Sequence, residues 1–268
     1  MKFLTEDSRG HNSKLYLEDA RGEKWTAKLG IESQPETVAS RLLWAVGYFT
    51  NESYYFARLQ VAGLPTHLRR GQGHVAAPGV LEGVRMQRHL GKQEKPAWNW
   101  KHNPFVGTRE FNGLRVMMAL ISNWDLKDEN NAVYLDDKNG EHWMVSDVGT
   151  AFGASGVRYT EHGSKNNLKS YRASRFIAKV TPAYVDFDFP HRPPLLFIFV
   201  LPTYVHQMRL QWIGHHIPRA DAKWLGSLLG QLSTRQIQDA FRAAGYSQDQ
   251  IAGFTQALQA RIAALNNL

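Results

Sequence analysis

Several residue and segment types are missing from this chain of 268 residues, and each absence removes a class of protein. There is no cysteine, which excludes a disulfide scaffold, a cysteine nucleophile and a zinc site with cysteine ligands. The longest apolar run, residues 195–201, is far shorter than the roughly 20 residues of a membrane-spanning helix. The first residues lack the apolar core of a signal peptide, so we expect a cytoplasmic protein, although a secretion signal trimmed before residue 1 stays compatible with the sequence.

Motifs of several enzyme and binding classes are missing as well. The chain has no Walker A sequence, and Gly153-Ala-Ser-Gly156 lacks the residue that a nucleophile elbow needs between serine and the second glycine. His215-His216 has no H-E-x-x-H around it, which favours a structural or surface pair. The net charge of +8 favours anionic partners, but the basic residues are scattered and no RNA-binding motif occurs. This pattern disfavours nucleic acid as the partner.

The residues that are present are ample for a packed core. Hydrophobic residues make up 43% of the chain, with 8 Trp, 13 Phe and 10 Tyr, which argues against general disorder. The length accommodates one large domain or two lobes. Trp98 and Trp100 lie between basic residues, a pattern that can stack bases but more often pins a loop through aromatic burial.

One stretch, from Asn123 to Gly149, carries the groups of a phosphoryl-transfer site. It reads N-W-D-L-K-D-E-N-N, then an apolar hairpin with an Asn-Gly turn, then S-D-V-G. Asp125 and Asn130 lie across one tight loop, and the hairpin brings Asp147 back beside Asn130. Phosphoryl transfer needs one carboxylate at the nucleophile, and an amide oxygen and a second carboxylate for magnesium, which prefers such oxygen ligands. Each residue taken alone has a structural reading, as a turn cap or a strand end.

The N-terminal part supplies candidate nucleotide contacts. A small polar loop, residues 8–13, can place backbone N–H groups on phosphates, with Gly10 and Ser13 as candidates. Lys28 ends an alternating strand, where it is either a solvated lysine or a phosphate contact. Glu36 lies in the first turn of a helix that Pro35 opens. A helix dipole favours a carboxylate there, and an ion pair with Lys28 is the alternative.

These motifs together resemble the protein-kinase-like superfamily, most of all its atypical bacterial members, the HipA-like and type II phosphatidylinositol-kinase-like proteins. The resemblance covers residues 8–153, with Asp125-Leu-Lys127 and Asn130 matching the catalytic loop and Asp147-Val-Gly149 matching D-F-G. Asn123-Trp124 replaces His-Arg, Val148 replaces phenylalanine and no A-P-E follows. These departures put the regulation of ordinary Ser/Thr kinases in doubt, but not phosphoryl transfer.

The resemblance implies a role for each matched residue. Asp125 corresponds to the catalytic aspartate and Lys127 to the lysine that contacts the transferred phosphate. Asn130 and Asp147 correspond to the magnesium ligands. Lys28 corresponds to the lysine of the α- and β-phosphates, with Glu36 as its partner.

The expected fold is α+β, with a small β-rich N-lobe and a larger, mainly helical C-lobe. We place the N-lobe and the hinge region in residues 1–91 and the C-lobe in 92–268, and interpret the Gly/Pro-rich residues 63–83 as a hinge or an insertion. The basic stretch 165–175 favours an ordinary solvated loop over a substrate-facing segment. Ser233-Thr-Arg-Gln and Ser247-Gln-Asp-Gln predict helices that begin with capping boxes.

The sequence therefore predicts an atypical kinase that uses ATP and Mg²⁺ to phosphorylate an unknown hydroxyl acceptor, which is a protein, a lipid or a small molecule. A pseudokinase or an AMP-transferring enzyme on the same fold is the first alternative, because the same residues would hold the nucleotide. A basic module that binds nucleic acid or acidic surfaces is the alternative of another class.

Overall fold

The computed structural model describes residues 1–7, 13–88, 92–94, 97–136, 138, 140–154, 165–190, 205 and 207–268. The candidate residue Gly10 and the apolar run 195–201 lie outside the described residues. Among the helices of the described part, none has the length and apolar character needed to cross a bilayer.

An antiparallel sheet forms the N-terminal part of the molecule. Its strands are β1 (Lys2–Asp7), β2 (Lys14–Glu18), β3 (Lys24–Leu29), β4 (Ser53–Gln60), β5 (Val75–Ala77) and β6 (Val80–Arg88). They lie in the order β1-β2-β3-β6-β4, with β5 paired to β6. Leu15 and Leu17 alternate with polar residues along β2 and are fully buried, as is Ala27 on β3. This alternation gives the sheet one apolar face, which makes its own hydrophobic core.

The assignment of residues 63–83 to a hinge or an insertion is wrong where β5 and β6 form, because both strands belong to this sheet. Gly79 lies between them with a φ of 73°, a conformation that glycine adopts without steric cost. The glycine therefore marks a tight connection inside the sheet rather than the end of the sheet.

Helix α1 (Ser33–Ala45) connects β3 to β4 and begins two residues before Pro35. Val38 and Leu42 are buried, as the apolar spacing of this helix predicts. Both belong to the large core formed mostly by the C-terminal half of the chain. Helix α1 thus attaches the N-terminal sheet to the rest of the molecule.

Strand β7 (Lys92–Glu94) and helix α2 (Arg109–Leu120) follow, and then the predicted hairpin of β8 (Asn131–Leu135) and β9 (Glu141–Val145). The Thr108 side chain caps α2 by accepting a hydrogen bond from the Phe111 N–H at 3.2 Å. Trp98 and Trp100 are 6% and 2% exposed, so the aromatic burial expected for their loop is confirmed. The predicted division between residues 91 and 92 adjoins residues outside the described part and stays a prediction.

The remaining elements are mainly helical. They are α3 (Leu168–Ala173), the small sheet of β10 (Ile177–Val180), β11 (Tyr184–Phe187) and β12 (Ile217–Pro218), and the helices α4 (Arg219–Leu229), α5 (Thr234–Arg242) and α6 (Gln248–Asn266). Both predicted capping boxes are present, with Ser233 and Gln236 at α5 and Ser247 and Gln250 at α6. The expected solvated loop at 165–175 is instead partly helical, because α3 packs against α6.

Candidate active site

The ammonium group of Lys28 is the centre of the site. Its Nζ lies 3.0 Å from Glu36 Oε2, 2.6 Å from Glu32 Oε2 and 3.2 Å from Asp147 Oδ1. Lys28 is only 1% exposed. Burial by itself would lower the pKa of Lys28, but the carboxylates of Glu36, Asp147 and Glu32 raise that pKa above its usual value. Lys28 is therefore a buried, charged lysine and not a solvated one.

Glu36 bridges two cations that the sheet places side by side. Lys28 on β3 and Arg85 on β6 are cross-strand partners. Glu36 contacts Lys28 with one carboxylate oxygen and Arg85 with the other, at 3.0 and 3.1 Å. Burial raises the pKa of Glu36, while Arg85 and Lys28 oppose that shift and favour the ionised form. The first-turn carboxylate of α1 is thus a bridge between two strands as well as a helix-dipole partner.

Sequence reasoning missed Glu32 and Arg85. Glu32 is the N-cap residue of α1 and is 4% exposed; it contacts Lys28 and also Lys165. Burial would raise the pKa of Glu32, but Lys28 and Lys165 lower it. Lys28 lies on β3 and Glu32 precedes α1, so the helical spacing of four residues was no signal for this pair. Nothing local in the sequence pointed to Arg85.

The three carboxylates of Glu32, Glu36 and Asp147 have oxygens within 4.8 Å of one another, a spacing that also suits a metal ion. The Lys28 ammonium contacts all three carboxylates, and Arg85 and Lys165 supply the two further positive charges that balance the cluster in this structure. Gly149 allows the carboxylates to come this close to the loop that follows β9. A Cβ on Gly149 would lie 2.9 Å from both Glu32 Cβ and Glu32 Oε2.

Asn130 and Asp147 meet as the hairpin predicts. The Asn130 carbonyl accepts hydrogen bonds from the N–H groups of Ser146 and Asp147 at 2.7 and 3.3 Å. The Asn130 side-chain Nδ2 donates to the Asp125 carbonyl at 2.6 Å, which turns its amide oxygen away from that contact. Burial works to raise the pKa of Asp147, but Lys28 and the Gly149 N–H lower it to about 2. An amide oxygen and an ionised carboxylate are hard oxygen donors of the kind that Mg²⁺ prefers.

Asp125 lies at the more open side of this loop. Its side chain is 26% exposed, and Lys127 Nζ contacts Asp125 Oδ1 at 3.0 Å. The Asp125 N–H donates to the Thr150 hydroxyl at 3.4 Å, and that hydroxyl donates in turn to Asn123 Oδ1. Thr150 and Asn123 therefore connect the loop that carries Asp125 to the loop that carries Asp147.

A buried arginine on the last helix supports the start of the stretch from Asn123 to Gly149. Arg261 donates to the Leu120 carbonyl and the Ser122 hydroxyl, both at 2.9 Å, and to the Tyr171 carbonyl. Ser122 has a φ of 57°, a conformation that side-chain-bearing residues rarely adopt. Arg261 thus helps to hold the turn that leads from α2 into Asp125.

The sequence matches no protein-family model. It matches no curated protein either. Solved structures do match: the proinflammatory kinase CtkA of Helicobacter pylori has a TM-score of 0.50 at 10% identity, over 98% of this chain and 94% of that chain. This chain has a protein-kinase-like fold.

Two further solved structures match with lower scores. HipA of Shewanella oneidensis, solved with HipB and operator DNA, has a TM-score of 0.45 at 11% identity, over 98% of this chain and 67% of that chain. The Rio2 kinase of Chaetomium thermophilum has a TM-score of 0.40 at 8% identity, over 98% of this chain and 72% of that chain.

The kinase-like fold confirms the predicted architecture, with a β-rich N-terminal region and a mainly helical C-terminal region. Within this fold the sheet from β1 to β6 and helix α1 supply Lys28, Glu32, Glu36 and Arg85. The stretch after α2 supplies Asp125, Asn130 and Asp147. The candidate active site is therefore formed where the two regions of the kinase-like fold meet.

Ser13 lies at the edge of this site. Its carbonyl accepts a hydrogen bond from the Leu29 N–H at 3.0 Å, next to Lys28. Residues 8–12, with Gly10, join β1 to β2 and lie outside the described residues.

Two further polar residues near the site have structural roles. The Asp128 carboxylate accepts hydrogen bonds from the Asn99 amide and from the Trp100 N–H. Asn131 is 1% exposed, and its side-chain amide donates to the Trp98 carbonyl. Both residues anchor the loop that contains the two tryptophans.

Proposed function

We propose that the protein is a phosphotransferase that uses ATP and Mg²⁺ to phosphorylate a hydroxyl group. The observation that carries this proposal is the meeting of Lys28, Glu36 and Asp147 around one ammonium group, although Lys28 and Asp147 are 119 residues apart in sequence. The order and the geometry of these three residues are those that a kinase-like nucleotide site needs.

Lys28 binds the α- and β-phosphates in this proposal, and Glu36 aims it. Glu36 is itself fixed from the other side by Arg85, so the lysine has a rigid partner. Lys28 has to leave Asp147 when phosphates arrive, and it retains Glu36. The loop with Gly10 and Ser13 provides backbone N–H groups for the phosphates.

Asn130 and Asp147 are the proposed magnesium ligands. A Mg²⁺ ion held by these residues would supply positive charge that offsets the charge of the phosphate oxygens. The Asn130 amide nitrogen is engaged by the Asp125 carbonyl, which leaves the amide oxygen as the donor atom for the metal. The ionised form of Asp147 supplies the second donor.

Asp125 orients the acceptor hydroxyl and receives its proton as the acceptor oxygen bonds to the γ-phosphorus of ATP. The bond from that phosphorus to the β–γ bridging oxygen breaks, and ADP leaves. Lys127, 3.0 Å from the Asp125 carboxylate, stabilises negative charge on the phosphoryl group that moves. Both side chains are partly exposed, which suits groups that meet an acceptor from solution. We place these groups in the C-lobe, residues 92–268, and the lysine in the N-lobe, residues 1–91.

A thermal-shift titration tests the nucleotide site first. ATP with Mg²⁺ should raise the melting temperature of the wild type, because a ligand that binds only the folded state stabilises it. Asp147→Ala should abolish the magnesium-dependent part of this shift. Asp136→Ala is the matched control, since Asp136 caps the β8–β9 turn and lies outside the site. An undiminished shift in Asp147→Ala would contradict the metal assignment.

The chemistry is tested by mass spectrometry of the protein and of each candidate acceptor after incubation with ATP and Mg²⁺. A phosphate adduct on either molecule that disappears with the Asp125→Asn variant supports the proposal. An AMP adduct would instead support nucleotide transfer on the same fold, and nucleotide binding without any adduct or hydrolysis would support a pseudokinase.

A further inference from the structure

One cavity lies apart from the residues proposed to bind nucleotide. It has a volume of about 500 Å³ and lies between the C-terminal end of α1, the loop before α2 and strand β9. None of the proposed catalytic, nucleotide or metal residues lines it. Its wall is unusually rich in aromatic side chains, namely Tyr48, Phe49, Trp98, Phe105, Phe111, Trp143 and Trp224.

Three polar donors in this wall already donate hydrogen bonds within the protein. The Tyr48 hydroxyl donates to the Glu110 carbonyl at 2.7 Å, and the Trp98 indole N–H donates to the Met144 carbonyl at 2.9 Å. The Asn103 amide donates to the Asn99 carbonyl. A ligand that offers only acceptors therefore finds no free donor among these groups.

The carboxylates in the wall leave acceptor capacity. Glu141 accepts one hydrogen bond, from the Trp143 indole N–H at 2.8 Å, and has no cationic partner among the described residues. The side chain of Glu110 is 60% exposed and contacts Arg109. A carboxylate has room for several hydrogen-bond donors, so both residues can accept more.

One aromatic ring of this wall already contacts a positively charged side chain of the protein. The Arg109 guanidinium lies over the Trp224 ring, 4.6 Å from its centre. Phe105 packs edge-on against Trp143, and both rings keep part of their surface open. Aromatic faces beside carboxylates are the combination that binds an organic cation with an apolar body.

We propose that this cavity is a binding site for a small amphipathic cation, with an aromatic or aliphatic body among the rings and an ammonium head at Glu141. The volume is in the range of small-molecule sites in proteins. The proposal does not depend on the chemistry of the nucleotide site, and its test uses no nucleotide.

Isothermal titration calorimetry with 2-phenylethylammonium and 2-phenylethanol tests the proposal, because these probes have similar shapes and differ in the charge of the head group. We expect the cation to bind with a Kd of about 1 mM or tighter. The alcohol should bind at least about threefold more weakly, since its hydroxyl can donate a hydrogen bond but carries no charge for a cation–π contact or an ion pair with Glu141.

Two variants place the binding in this cavity. Glu141→Gln removes the proposed partner of the head group, and Phe105→Ala removes an exposed part of the ring wall; each should weaken binding of the cation by about threefold or more. The matched controls are Glu23→Gln and Trp44→Ala, which change an exposed carboxylate and an exposed aromatic ring outside the cavity. Circular dichroism melts verify that all four variants are folded.

Three results would overturn the proposal. The first is no heat of binding for the cation at concentrations up to about 10 mM, well above the expected Kd. The second is an equal Kd for the cation and the alcohol. The third is an equal effect of the cavity variants and the control variants, which would place the binding elsewhere on the surface.

Discussion

The bridge that Glu36 makes between β3 and β6 predicts a large loss of stability in Glu36→Gln. The substitution keeps the shape of the side chain but removes its charge. Lys28 and Arg85 then remain opposite each other on adjacent strands without the carboxylate between them. Like charges directly opposite in a sheet destabilise it, and both cations are almost fully buried.

The size of the loss follows from the contacts that each cation retains. Removal of one partner from a buried ion pair costs about 3–5 kcal/mol. Lys28 retains Glu32 and Asp147, whereas Arg85 retains hydrogen bonds to Ser53 and Gln87. We therefore expect a cost near the lower end, about 3 kcal/mol. At about 2 °C per kcal/mol for a chain of this size, the melting temperature should fall by about 6 °C.

Thermal melts followed by circular dichroism, without nucleotide, measure this loss. The control is Glu23→Gln, because Glu23 pairs with Arg88 at the surface and such pairs contribute about 0–1 kcal/mol. Arg85→Met should reduce the stability of the Glu36→Gln variant by less than it reduces the stability of the wild type. In the variant, this substitution removes a cation that has lost its partner. A melting temperature of Glu36→Gln equal to that of the Glu23→Gln control, or strictly additive losses in the double variant, would refute the reasoning.

Three further predictions concern Gly149, the cap of helix α6 and the pH dependence of stability. Gly149→Ala should destabilise the fold by about 1–3 kcal/mol, because its Cβ meets Glu32 at 2.9 Å; Gly73→Ala, where a Cβ meets nothing within 4 Å, is the control in the same melts. Ser247→Ala should cost about 1 kcal/mol through loss of the α6 cap and Ser247→Gly only a few tenths, and equal melting temperatures of the two variants would argue against the cap. The pKa of Asp147 is lowered to about 2, so its ionised form stabilises the fold above the pKa of an unfolded aspartate, near 3.8. This contribution disappears as the pH falls through about 2, so without Mg²⁺ the melting-temperature difference between wild type and Asp147→Asn should shrink from about pH 5 to about pH 2, and a constant difference would contradict the assignment.

The parts of the site that the sequence predicted are the parts that local patterns encode. Asp125 and Asn130 are five residues apart in one loop, and the turn between β8 and β9 places Asp147 beside them. The caps at Ser233 and Ser247 need only the four residues that form them. Such features depend on short stretches of chain, so a periodic or spaced pattern is sufficient to find them.

Arg85 was missed because its role depends on strand pairing across a long sequence separation. The partner of Lys28 in the sheet comes from β6, after a Gly- and Pro-rich stretch that was interpreted as a hinge or an insertion. No local period links residues 28 and 85. Their contact follows from the sheet order β3-β6-β4, which sequence spacing alone does not specify.

The Arg261 contacts have a consequence for the order of folding. Ser122 is made early in synthesis, and the guanidinium that binds it follows 139 residues later. A nascent chain therefore has α2 and the residues after it long before their buried support. Long-range contacts of this kind form late, because the intervening chain has to be ordered first. The loop that carries Asp125 should thus reach its final shape only after α6 has docked.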